Sequence, residues 1–137
     1  MTIKKLIRKL IADFELQTLT ITLPRNVATL LRDCEADGMI NTEKFITDSL
    51  RSYIAYRDNL KVDNIIKPTS KIEISSIRLP RILSCQLAML SRFIGADKSD
   101  VITTALAYSI PAMLEEYQLQ EDYAVEQALK LDKGDHQ

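Results

Sequence analysis

Thr18, Thr20 and Thr22 recur at every second residue, and Ser76 and Arg78 repeat that spacing further along the chain. Alternate side chains of an extended strand share a face, so these residues form a row of hydroxyls ending in a guanidinium. Such a row is either an ordinary solvated sheet face or a surface that hydrogen-bonds base edges. In the second case Arg takes guanine O6 and N7 in the major groove, and Thr offers a hydroxyl or a methyl. Other chemistry finds few residues. His136 is the single histidine and stands next to last, which leaves no histidine-based triad or metal site. A Gly-rich phosphate loop, a paired-cysteine zinc spacing and a zincin helix pattern are missing. Glu115, Glu116 and Asp122 read as solvated carboxylates. The expectation is a protein that is not an enzyme and needs no cofactor.

The two rows belong to a longer repeat. Leu19-Thr20-Ile21-Thr22-Leu23-Pro24-Arg25 matches Ser75-Ser76-Ile77-Arg78-Leu79-Pro80-Arg81 at an offset of 56 (79 − 23). The same offset, without a gap, aligns Ile46 with Ile102, Thr47 with Thr103, Leu50 with Leu106 and Ile54 with Ile110. A fixed offset over more than thirty residues marks an internal duplication. In each copy a short alternating strand ends at a proline and two helical patterns follow.

The elements that position the rows follow from periodicity. Ile3, Leu6, Ile7, Leu10, Ile11 and Phe14 recur at helical steps, with Lys4, Lys5, Arg8 and Lys9 on the other side, and predict a helix over 3–16. This helix is expected to pack on the core and leave its charges free. A basic arm reaching DNA and a membrane-surface helix are the competing readings. Thr18–Leu23 reads as a strand, ended by Pro24, which has no N–H to donate and suits a helix start. The next helix carries Val27, Leu30, Leu31 and Cys34 on one face and stops at Asp37-Gly38. Asn41 or Thr42 caps a second, with Phe45, Ile46, Ser49, Leu50, Tyr53 and Ile54 as its stripe.

Turn-type residues make 58–70 a linker. In the second copy Ile74, Ser76 and Arg78 point outward while Ser75, Ile77 and Leu79 point inward. A helix through Leu83, Leu87 and Leu90 ends at Gly95. Asp97 caps the next, with Asp100 in capping-box position and Val101, Ile102, Ala105, Leu106 and Ile110 in its stripe. Pro111 is expected to kink or end that helix near Ala107. Residues 121–131 extend helically, and 133–137 fray.

The totals fit one small domain. The chain has 137 residues, 46% hydrophobic and 27% charged, with 3 Gly and 4 Pro. No apolar run approaches the ~20 residues of a membrane span, and the charged start does not resemble an export signal. Cys34 and Cys85 fall at unrelated places in the two copies and read as reduced, half-buried residues of a cytoplasmic protein. Net charge is −1, which opposes nucleic-acid binding in so far as phosphate contacts dominate it. Residues 118–137 hold five acidic and two basic groups, and without them the rest of the chain is +2 (−1 minus −3).

A six-residue strand is too small to stand alone. Two of them paired antiparallel would put Leu19, Ile21, Leu23, Ile77 and Leu79 on one face, over four helices. Thr18, Thr20, Thr22, Ser76 and Arg78 would then face outward. On these residues, on the Leu-Pro-Arg junctions and on the Phe45-Ile46-x-x-Ser49-Leu50 and Val101-Ile102-x-x-Ala105-Leu106 helices, the sequence resembles the ribbon-helix-helix (MetJ/Arc/CopG-type) superfamily of DNA-binding proteins. The resemblance covers about 18–57 and 71–117, in a TraY-like tandem arrangement.

The resemblance implies an α+β fold with two ribbon-helix-helix units at 18–57 and 71–117. An amphipathic helix at 1–17, a linker at 58–70 and an acidic tail at 118–137 complete the chain. The ribbon would form within one chain or between two. The implied activity is sequence-specific binding of double-stranded DNA, as a transcriptional repressor or plasmid accessory factor. Thr18, Thr20, Thr22, Ser76 and Arg78 would read bases. The backbone near Asn41, Thr42, Lys98 and Ser99 would hold phosphate, together with Arg25, Arg81, Lys4 and Lys5. The alternative is a protein-interaction module whose acidic tail binds a partner such as a toxin or a replication protein. No membrane partner is expected.

Overall fold

Leu19–Leu23 alternates apolar residues with threonine, Ile77-Arg78-Leu79 repeats the alternation, and a proline ends each of the runs Leu16–Pro24 and Ile72–Pro80. These runs are strands β1 and β2. They pair antiparallel with each other, within one chain, as a two-stranded sheet. The computed structural model describes residues 2–56, 65–67 and 72–135. It is α+β, in the order α1 (Ile3–Phe14), β1, α2 (Arg25–Ala36), α3 (Thr42–Tyr56), β2, α4 (Arg81–Ile94) and α5 (Lys98–Asp135). Most of the predicted linker lies outside the described residues. Within it, the Ile66 amide donates to Thr104 Oγ1 at 2.9 Å, and Ile65 packs against the core.

The strand register ties the sheet to the repeat. Thr20 faces Ser76, Thr18 faces Arg78 and Thr22 faces Ile74. Paired residue numbers always sum to 96, and the repeat offset is 56. Thr20 and Ser76 are therefore both partners across the ribbon and equivalents along the chain. The ribbon has its approximate two-fold axis at that pair.

The inner face of the ribbon seats Ile21, Leu23, Ile77 and Leu79 on α2–α5, where Leu31, Ile46, Leu50, Leu83, Leu87, Ile102 and Leu106 are buried with them. Helix ends follow local rules. Pro24 and Pro80 stand immediately before α2 and α4. The carbonyl of Asn41 accepts the Phe45 amide at 2.8 Å and its side chain accepts the Lys44 amide at 3.1 Å, which makes it the cap of α3. Gly95 ends α4 at φ +66, and Gly38 follows α2 at φ +76. A side chain is strained at such angles whatever space surrounds it.

Three expectations need correction. The apolar stripe of α1 does not pack on the core. Ile3, Ile11 and Phe14 are more than 60% exposed, and Leu6, Ile7 and Leu10 about half exposed. The ribbon and α2–α5 bury one another, and α1 lies outside that core, beside α4. Pro111 neither ends nor divides its helix: α5 runs continuously from Lys98 to Asp135, so the acidic tail is the distal half of a helix. Proline removes one donor, and the carbonyl it would have served belongs to the exposed Ala107. Finally, Cys34 is buried but Cys85 is exposed, and both are free thiols.

Leu79 is fully buried and Thr20 is exposed. Replacing Leu79 with Ala should cost about 2–5 kcal/mol, as for other buried leucines. Thr20→Ala should stay within about 0.5 kcal/mol. Urea denaturation of the two variants checks both values.

Candidate nucleic-acid interface on the ribbon

Five residues carry the predicted reading surface, and the pairing brings them onto one face. Thr18, Thr20, Ser76 and Arg78 are exposed there and Thr22 is half-buried. Ile74 shares the face and is 78% exposed. In repeat terms Ile74 stands where β1 has Thr18, and Arg78 where β1 has Thr22. The outer face is therefore hydroxylic along β1 and mixed along β2.

Two hydrogen bonds fix how this face sits on the helices, and they are equivalents under the same offset. The Thr22 amide donates to Ser99 Oγ, the second residue of α5, at 2.9 Å. The Arg78 amide donates to Glu43 Oε2, the second residue of α3, at 3.2 Å. Each strand is thus pinned by the helix that starts in the other half of the chain. The Arg78 guanidinium adds a pair with the same carboxylate, Nε to Oε2 at 3.0 Å and Nη2 to Oε1 at 3.3 Å. Both side chains stay substantially exposed, at 60% and 39%. An exposed ion pair of this kind contributes about 0–1 kcal/mol.

The predicted phosphate contacts are less alike. The Thr42 amide donates to Glu35 Oε1 at 3.2 Å, so it is already satisfied by a carboxylate. Asn41 caps α3, and Ser99 spends its hydroxyl on the ribbon. Lys98 is exposed at the start of α5. Beside it, burial and the neighbouring Asp97 push the Asp100 carboxyl above its usual range, against the pull of Lys67. Arg25 and Arg81 are exposed immediately after the two prolines, at opposite ends of the ribbon. The Arg81 amide donates to the Glu15 carbonyl at 2.8 Å. Lys4 and Lys5, also predicted to contact phosphate, sit on α1, which lies next to α4.

Two acids that sequence reasoning left out of the site shape it. Glu43 looks like a helix-start acid favoured by the helix dipole; its bond to Arg78 follows only once the strands are paired. The signal was present, because the offset that equates Thr22 with Arg78 also equates Ser99 with Glu43. Glu73 lies opposite Leu23 at the ribbon edge. It takes two hydrogen bonds from Arg32, at 2.6 and 3.2 Å, and lies 3.8 Å from Arg25. The Arg32 hydrogen bonds hold the Glu73 carboxyl below its ordinary value.

Among the described residues no group of three or more His, Cys, Asp or Glu could hold a metal ion. No helix there is long and apolar enough to cross a membrane. Comparison with protein-family models, curated proteins and solved structures gives no match.

The Glu73 shift has a defined pH signature. A carboxyl depressed on folding adds stability above its unfolded pKa and loses it as pH falls through the folded value. Glu73→Gln should therefore lower the thermal midpoint slightly at pH 7, and the difference from the parent should close on acidification through the carboxylate range. Melting curves across that range check it.

Proposed function

We propose that the protein binds double-stranded DNA sequence-specifically through two tandem ribbon-helix-helix units, with the ribbon in the major groove, as a repressor or accessory factor. The observation that carries this reading is the outer ribbon face: four exposed residues able to hydrogen-bond, Thr18, Thr20, Ser76 and Arg78, set on two strands that are anchored from below. A two-stranded ribbon is the right width for the major groove. The magnitudes allow Arg78 to read a base despite Glu43. Releasing an exposed pair costs about 0–1 kcal/mol, whereas a bidentate contact to guanine discriminates by about 1–3 kcal/mol. Arg25 and Arg81, at the two ends of the ribbon, serve as phosphate anchors in this reading, and Lys98 adds a third.

The test is selection of sites from a random duplex pool, followed by gel shift with the full chain. Arg78→Ala should weaken the selected site about 5- to 150-fold, corresponding to 1–3 kcal/mol, and relax the preference at one base pair. Thr20→Ala should change preference near the centre of the site. Unchanged binding in both variants would show that the ribbon is not the reader. Glu43→Gln should strengthen binding, because it frees Arg78 and removes a charge that repels phosphate. Affinity should fall steeply with added salt.

A second reading, a protein-interaction module, draws support from the distal half of α5. That segment is acidic, and it leaves Leu119, Tyr123, Val125 and Leu129 more than half exposed.

A further inference from the structure

The apolar stripe of α1 faces away from the rest of the protein. Among the described side chains of α1 only Ala12 is partly covered, and the others are exposed. At roughly 100° per residue, Ala12 stands on the side of the helix opposite Ile3, Leu6, Ile7, Leu10, Ile11 and Phe14. The helix therefore sits beside α4 with its apolar side outward. It is tied at both ends: Thr2 Oγ1 accepts the Lys5 amide at 3.4 Å, and the Glu15 carbonyl accepts the Arg81 amide at 2.8 Å. A helix of 12 residues is marginal in water without a buried face, so covering this stripe would stabilise it.

Charge identifies the cover. α1 and α4 together hold six Lys or Arg and one Asp, a balance of +5 (6 − 1), which leaves the rest of the chain at −6 (−1 − 5). Lys4 and Lys9 border the stripe on its two sides. A helix lying in the plane of a lipid surface has this layout: large apolar side chains at the acyl boundary, and Lys or Arg reaching back to anionic headgroups. With 12 residues, α1 is about 18 Å long, too short to cross a hydrocarbon core of ~30 Å. A second copy of the chain is a poorer match. Two α1 helices set face to face would oppose +3 to +3 (4 − 1 for each). The distal half of α5 exposes Leu119, Tyr123, Val125 and Leu129, but Asp122 and Glu126 stand among them on the same side, so it has no unbroken stripe to offer.

We propose that α1 binds an anionic lipid surface, lying in its plane with Leu6, Ile7, Leu10 and Phe14 inserted and Lys4 and Lys9 against the headgroups. The expectation of no membrane partner went with an α1 packed on the core, and α1 is not packed there. The inference does not rest on the DNA reading.

Co-sedimentation of the full chain with vesicles, without nucleic acid, tests it. Vesicles of phosphatidylcholine and phosphatidylglycerol in equal parts should carry the protein down, and added salt should release it. Vesicles of phosphatidylcholine alone should bind at least about tenfold more weakly. Leu6→Gln with Leu10→Gln should weaken binding to the mixed vesicles by more than about tenfold. Lys4→Gln with Lys9→Gln should weaken it about 25-fold, at roughly fivefold per lysine. All four positions are exposed, and an unchanged thermal midpoint verifies the fold. The chain has no Trp, so Phe14→Trp places a single reporter on the stripe. Its emission should shift to the blue with the mixed vesicles, and should not shift once both leucines are replaced. A parent chain that stays in solution with the mixed vesicles would overturn the proposal, as would binding that survives the loss of both leucines. Light scattering without lipid completes the test: a parent dimer that Leu6→Gln with Leu10→Gln dissociates would assign the stripe to a second copy, and would overturn it too.

Discussion

The pairing of β1 with β2 is the constraint on which the rest depends. Neither strand has neighbours enough to satisfy its backbone, and a two-stranded sheet is marginal in water unless it packs on something. Together they present Ile21, Leu23, Ile77 and Leu79 as one apolar underside, and four helices close over it. The pairing joins segments far apart in sequence, so its closure entropy must be met by burial on those helices. The bonds from Ser99 and Glu43 add direction: they fix which helix start lies beneath which strand. Pairing, burial and helix placement therefore stand or fall together.

The charges around the ribbon are ordered in matched sets. Arg78 meets Glu43, while Arg32 and Arg25 meet Glu73. These pairs are exposed, so they contribute modestly to stability. Their larger effect is positional, because each guanidinium is held at a defined place beside the ribbon instead of sweeping through solvent. A chain of net charge −1 thus keeps cations near its ribbon without a large basic field.

The parts of the fold legible from residues alone are those where one local rule acts. Alternation located the strands, the prolines located their ends, and the 56-residue offset matched Leu23 with Leu79 and Leu50 with Leu106. Inward and outward assignments on both strands agree with the burial. What was not legible depends on partners distant in sequence. The stripe on α1 shows that a face is apolar but not whether any surface is free to cover it. Pro111 removes a donor, yet whether the helix ends there depends on neighbours: Ile110 packs on the core and Met113 is buried, so residues on both sides of the proline are anchored and the helix continues. The link between Arg78 and Glu43 becomes visible only when antiparallel register and repeat offset are taken together. The outer face of the ribbon was legible as a set of residues, whereas its anchoring was not.

Both strands of the ribbon come from a single polypeptide, and this changes the order of the reaction that builds it. A ribbon assembled from two separate chains falls apart when diluted, since its stability is inseparable from protomer concentration. Here closure is unimolecular, so scarcity of the protein leaves the ribbon intact. Tethering also frees the halves from having to be identical. One mutation alters one strand and spares the other, which is how β1 can keep three threonines while β2 carries an isoleucine and an arginine in the matching row.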